Sequence, residues 1–129
     1  MIQQAILILR LAVGIVMFAH GVGKFQKRLI LDDKWKKEYG YPIGTVVFAG
    51  ILQVVGGAAI TVGAFTSAAA LILTLNMLVA TYVCIYKHHE PFSSVSPNKG
   101  WDINLLLLGA LVALILLGDG DWSLIELLS

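Results

Sequence analysis

His20 and Lys24 lie one helical turn apart, and Asp102 with Asn104 opens a later apolar stretch, so the order of segments is expected to bring these four groups to one end of the molecule. A histidine beside a carboxylate at a membrane surface has the chemistry to relay protons or to donate to a quinone carbonyl, because its ordinary pKa lies near neutrality. The plainer reading is that Lys24 pairs with Asp102 and pins the first and last apolar segments together. Arg10 falls inside the first apolar stretch, about 8 Å from its start at helical rise. It either snorkels outward or meets a buried acceptor or an anionic ligand. Gln53 and Asn76 sit near the middles of two neighbouring stretches at similar depth, where a bond between them is worth about 0.6 to 2 kcal/mol and fixes helix rotation. Cys84 is the single cysteine, which excludes an internal disulfide or dithiol pair. Adjacent His88 and His89 point apart in any regular structure, and no metal site is expected.

The elements that position these residues are four apolar runs, Ala5 to Val22, Ile43 to Gly63, Ser67 to Ile85 and Ile103 to Gly118. About 20 apolar residues cross the hydrocarbon core as a helix, and each run approaches that length. A composition 58% hydrophobic and 13% charged leaves too little polar surface for a water-soluble bundle of this size. The expected fold is therefore all-α, an integral membrane four-helix bundle with up-down-up-down topology, forming a single four-span domain over residues 1–129. Of nine Lys and Arg, Lys24, Lys27, Arg28, Lys34, Lys36 and Lys37 lie between the first two runs, and Lys87 and Lys99 between the last two. The positive-inside rule then places both long loops in the cytoplasm and both termini outside, as a multi-pass protein of the inner or plasma membrane of a prokaryote.

Between the first two runs, Phe25 and Leu29, and then Leu31, Trp35 and Tyr39, follow a spacing of four that suits a helix lying in the interface, with Trp35, Tyr39 and Tyr41 at headgroup level; a solvated charged loop is the alternative. Gly50, Gly56, Gly57, Ala58, Ala59 and Gly63 make the second run a close-packing face, and Gly109 with Ala113 offers a similar face on the fourth. The turn Ala64-Phe65-Thr66 forces the second and third runs to be antiparallel neighbours. Pro91, Pro97 and a Ser/Asn stretch mark the last long loop as non-helical. No Gly-rich phosphate loop, paired CxxC or nucleophile elbow occurs, nor a basic groove for nucleic acid.

Taken in order, Leu9-Arg-Leu-Ala-Val-Gly14, His20-Gly-Val-Gly-Lys24, Gly56-Gly57, Gly63-Ala-Phe-Thr66, Asn76-Met-Leu-Val-Ala80, Gly100-Trp-Asp102, Leu117-Gly-Asp-Gly120 and Trp122-Ser-Leu124 resemble the DoxX family of small four-span membrane proteins. The resemblance implies a membrane subunit of a quinone-linked or thiol-linked oxidoreductase assembly, with a quinone as cofactor and a partner redox subunit carrying the electrons. It carries over Arg10, His20, Gly21, Lys24, Gly57 and Asp102 as landmarks. Gln53 stands where the family usually has glutamate, and Ser67 where it usually has a basic residue. Arg10, His20, Lys24, Gln53 and Asp102 are accordingly the expected cofactor-binding residues, and a contact between Arg10 and Gln53 is expected. Two alternatives stay open beside this one: a non-enzymatic anchor or assembly factor, and a small-molecule transporter. Membrane lipids and a second copy of the chain are further expected partners.

Overall fold

The computed structural model describes residues 1–93 and 100–129. Helices α1 (Ile2–Gln26), α2 (Arg28–Tyr39), α3 (Thr45–Val62), α4 (Thr66–Tyr82), α5 (Asp102–Leu117) and α6 (Leu124–Leu128) follow in order, with a π-helical segment (Val83–Lys87) extending α4. Among the described residues, α1, α3 and the continuous Thr66–Lys87 helix are long and apolar enough to cross a membrane, while α5 is a shorter apolar helix of 16 residues, about 24 Å of rise. Alternating directions give an all-α up-down-up-down membrane bundle. Leu106 and Leu116 remain 75% and 82% exposed on its outside, a surface suited to lipid rather than water.

The closest helix crossing is that of α1 on α3. A Cβ added to Gly14 would lie 2.8 Å from the Gly57 carbonyl, one on Gly57 2.6 Å from the Phe18 nitrogen, and one on Gly21 2.8 Å from the Gly50 carbonyl. Lipid tails match leucine in polarity, so this approach of backbones, rather than apolar burial, holds the pair together. The expected small-residue face on α3 is thus in use. That on α5 is not: Gly109 faces open space. The core of the bundle is Val13, Met17, Ile60, Ala70, Leu73, Met77, Leu107, Leu111 and Leu114.

The charged segment after α1 is a helix. It stops at Gly40, which takes a left-handed conformation with φ of 71°; its N–H donates to the Lys36 carbonyl (3.1 Å) and that of Tyr41 to the Trp35 carbonyl (3.4 Å). The Asp32 carboxylate then accepts from the backbone N–H groups of Gly44 (3.2 Å) and Val46 (3.4 Å), tying α2 to the start of α3 and satisfying donors that a helix N-terminus leaves open. Of the expected non-helical loop, Pro91 lies outside any helix; Pro97 and the Ser/Asn stretch fall largely outside the described residues. At the opposite end of the bundle, Asp121 N–H donates to Gln3 Oε1 (2.9 Å), holding the two termini together.

Candidate functional site

Arg10 is the most deeply buried cation, 2% exposed, and its partners are backbone carbonyls at the terminal end. Nε donates to Ile60 (3.1 Å), Nη1 to Asp119 (2.7 Å) and Trp122 (2.8 Å), and Nη2 to Thr61 (3.3 Å). One side chain thereby bonds carbonyls where α3 ends, Ile60 O accepting also from Gly63 N–H at 3.2 Å, and ties them to the loop after α5. Gly63, at φ +78°, is required there, since a Cβ would come 2.9 Å from Arg10 Cζ and would collide with Ser123 Cβ. The Asp119 carboxylate caps α4 by accepting from Thr66 N–H at 2.8 Å. These bonds lock helix ends and fill the bonding capacity of the guanidinium.

The opposite end is different. A cavity of about 570 Å³ lies between α3 and α4 beneath α2, within the size range of small-molecule sites. Its polar wall is a directed chain: Lys24 Nζ donates to Gln53 Oε1 (3.0 Å), and Gln53 Nε2 donates to Asn76 Oδ1 (2.8 Å). Gln53 is 3% exposed and lies about 12 Å along α3 from Thr45 at helical rise. Trp35, Tyr39, Tyr41 and His88 form the roof, and Phe48, Leu52, Ile72, Leu75 and Val79 the apolar side. Phe48, Leu75 and Val79 are also exposed on the outside of the bundle, so the cavity meets the lipid between α3 and α4.

The roof is held by aromatic contacts. Trp35, Tyr39 and Tyr41 pack in a triangle with ring centres 5.9 to 6.3 Å apart, and Tyr39 lies 5.0 Å from His88. His88 faces Glu90 (3.5 Å) and Glu38 (4.0 Å), bridging α2 to the end of α4. The Tyr39 hydroxyl is buried with no hydrogen-bond partner among the described residues. Cys84 also lines the cavity and accepts from Asn104 Nδ2 at 3.5 Å. It sits in the π segment, where the wider turn closes Val83 O to His88 N–H (2.9 Å), a distortion common at functional sites.

Of the five expected site residues, the structure brings Lys24 and Gln53 together in the cavity wall. Arg10 does not reach Gln53: its guanidinium turns outward to the end of α3, while Gln53 is held by Lys24 and Asn76. Lys24 does not pair with Asp102 either. Asp102 opens α5, its N–H donating to the Phe92 carbonyl (2.9 Å) and its Oδ1 accepting from Ile103 N–H (2.9 Å). His20 is exposed and outside the cavity lining, so no cluster of His20, Lys24 and Asp102 forms. The expected Gln53–Asn76 bond is present. Sequence reasoning missed the aromatic roof as part of a site, although the spacing of Trp35 and Tyr39 was its visible signal.

The DoxX family profile matches residues 5–86, a span that includes Lys24, Gln53, Asn76, Cys84 and the whole aromatic segment of α2 but not α5. Among curated proteins, an uncharacterized membrane protein of Mycobacterium tuberculosis is 28% identical over 134 aligned residues, which cover 97% of this chain and 82% of the relative. No solved structure matches.

Proposed function

The chain belongs to the DoxX family, and we propose that it is a four-span membrane subunit whose cavity beneath α2 holds an amphipathic molecule by its head, in a quinone-linked oxidoreductase assembly where partner chains carry the electrons. The observation that supports this reading is the chain Lys24→Gln53→Asn76 set in the wall of an otherwise apolar cavity that meets the lipid. A quinone suits these residues. Its carbonyl is an acceptor for the N–H groups of Lys24 not used by Gln53, its ring matches Trp35 and Tyr41, and its tail has the apolar side toward the bilayer. A bound quinone supplies the electron chemistry; this chain supplies the pocket, the donors and exclusion of water. Thiol chemistry would need a partner's sulfur, because Cys84 is the single cysteine.

The test is binding of a decyl-tailed benzoquinone to protein in non-ionic detergent, read by quenching of Trp35 after Trp101→Phe and Trp122→Phe remove the other two tryptophans. Saturable quenching that weakens in Ala80→Phe, which fills part of the cavity without adding an indole, supports the site. Quenching that rises linearly without saturation contradicts it and favours a plain anchor or assembly role. The proposed orientation sets the α2 end in the cytoplasm of a prokaryotic cell, because Lys24, Lys27, Arg28, Lys34, Lys36 and Lys37 gather there. Alkaline phosphatase fused after Ser129 is then active; an inactive fusion with a fluorescent cytoplasmic reporter reverses the orientation.

A further inference from the structure

Lys24 points the wrong way for a lysine at a helix end. Long cationic side chains near the end of a membrane helix normally snorkel toward the headgroups. The Cβ of Lys24 lies at the level of Gly50, 3.4 Å from where a Cβ on that glycine would stand, yet its ammonium is bonded to Gln53, about 4.5 Å deeper along α3. Its partner there is a neutral amide. The ion pairs among the described residues are Lys37 with Asp33 and His88 with Glu38 and Glu90, and Lys24 is in none of them. Among the described residues no Asp or Glu lines the cavity. A half-buried ammonium in an apolar wall is costly unless an anion meets it, and among the described residues no carboxylate pairs with Lys24.

From this we propose that the cavity takes an amphiphile with a single negative charge, a long-chain monocarboxylic acid, whose carboxylate pairs with Lys24 while its chain runs along Phe48, Leu75 and Val79. The inference rests on the cavity being an amphiphile site, as above, and narrows the head from any acceptor to an anion. Of the three N–H donors on an ammonium, Gln53 uses one. A carboxylate has oxygens for the other two, and charge-assisted bonds are about twice as strong as neutral ones. One compact ammonium with no arginine in the lining suits a monoanion on a single chain better than the phosphate head of a two-chain lipid, which favours guanidinium forks and clustered N–H groups.

Binding of palmitate and of methyl palmitate, two molecules that differ in head charge, tests this in the Trp35-only protein. Palmitate should bind about tenfold more tightly or better. Lys24→Gln should remove that preference, with the melting temperature in detergent showing that the variant folds, and Lys24→Arg should keep it. Equal binding of acid and ester, an acid preference that survives in Lys24→Gln, or tighter binding of dipalmitoyl phosphatidate than of palmitate each overturns the proposal. The decyl-tailed benzoquinone run in parallel separates the failures. Quinone binding without an acid preference sinks the anion and leaves the amphiphile site standing; acid binding without quinone binding sinks the quinone and leaves the anion; binding of none of them removes both.

Discussion

The two ends of the bundle each hold a cation from α1 and use it in opposite ways. Arg10 reaches outward and spends four bonds on backbone carbonyls at the close of α3 and in the loop after α5. Lys24 reaches inward and meets one amide beside a cavity of about 570 Å³. Arginine suits the first task because its planar fork satisfies several fixed acceptors at once. Lysine suits the second because its compact charge on a flexible stem retains donors for a guest. A buried cation in a membrane protein is thus not by itself a functional site: what separates the two ends is whether its bonding capacity is already filled by the fold.

The largest expected effect comes from emptying the filled end. Arg10→Met leaves the Ile60, Thr61, Asp119 and Trp122 carbonyls without their shared donor and should cost about 3 to 5 kcal/mol, read as a large drop in melting temperature in detergent. Substitutions at the cavity should move stability far less. Gly57→Ala comes next, because its Cβ would meet the Phe18 nitrogen at 2.6 Å; overpacking of that kind costs about 1 to 3 kcal/mol, and the same measurement reads it. Asn76→Ala removes the acceptor of Gln53 Nε2 and should cost about 0.6 to 2 kcal/mol.

The apolar runs, the bundle and the Gln53–Asn76 bond were legible because run length, the short Ala64–Thr66 turn and helical rise fix depth along the bundle. The partners of the cations were not. Helical register places a Cβ, but Lys24 and Arg10 each have a long flexible stem, and the register does not say whether the charge travels outward or inward. Arg10's acceptors are backbone carbonyls, which carry no side-chain signature in a sequence. The cavity roof was half visible: Trp35 and Tyr39 announced a helix with an apolar face, but its return over α3 depends on Asp32 capping Gly44 and Val46, a contact between a charged residue of α2 and bare backbone. Gly109 misled because small residues also occur on faces that meet no neighbouring helix.

A double-mutant cycle sharpens the comparison of the two ends. Gln53→Glu places a carboxylate about where Oε1 now accepts from Lys24 at 3.0 Å, so it should raise the melting temperature. That gain should vanish in Lys24→Met and persist in Arg10→Met, with a coupling of about 1 to 3 kcal/mol to Lys24 alone. Coupling to Arg10 instead would place the two cations in one network. The same Gln53→Glu variant should lose its preference for palmitate over methyl palmitate, since the fold then supplies the anion.

The central claim, that the guest sits at the α2 end rather than on the lipid-facing surface, is tested most directly by photo-crosslinking. A palmitic acid carrying a diazirine on its chain is bound to the intact protein, irradiated, and mapped by peptide mass spectrometry. Adducts should concentrate on cavity residues of α3 and α4, among them Leu52, Leu75 and Val79, displaced by excess palmitate and markedly weakened in Lys24→Gln. Adducts spread over Leu106 and Leu116 on the outer face of α5, unchanged by competitor or by Lys24→Gln, would contradict it.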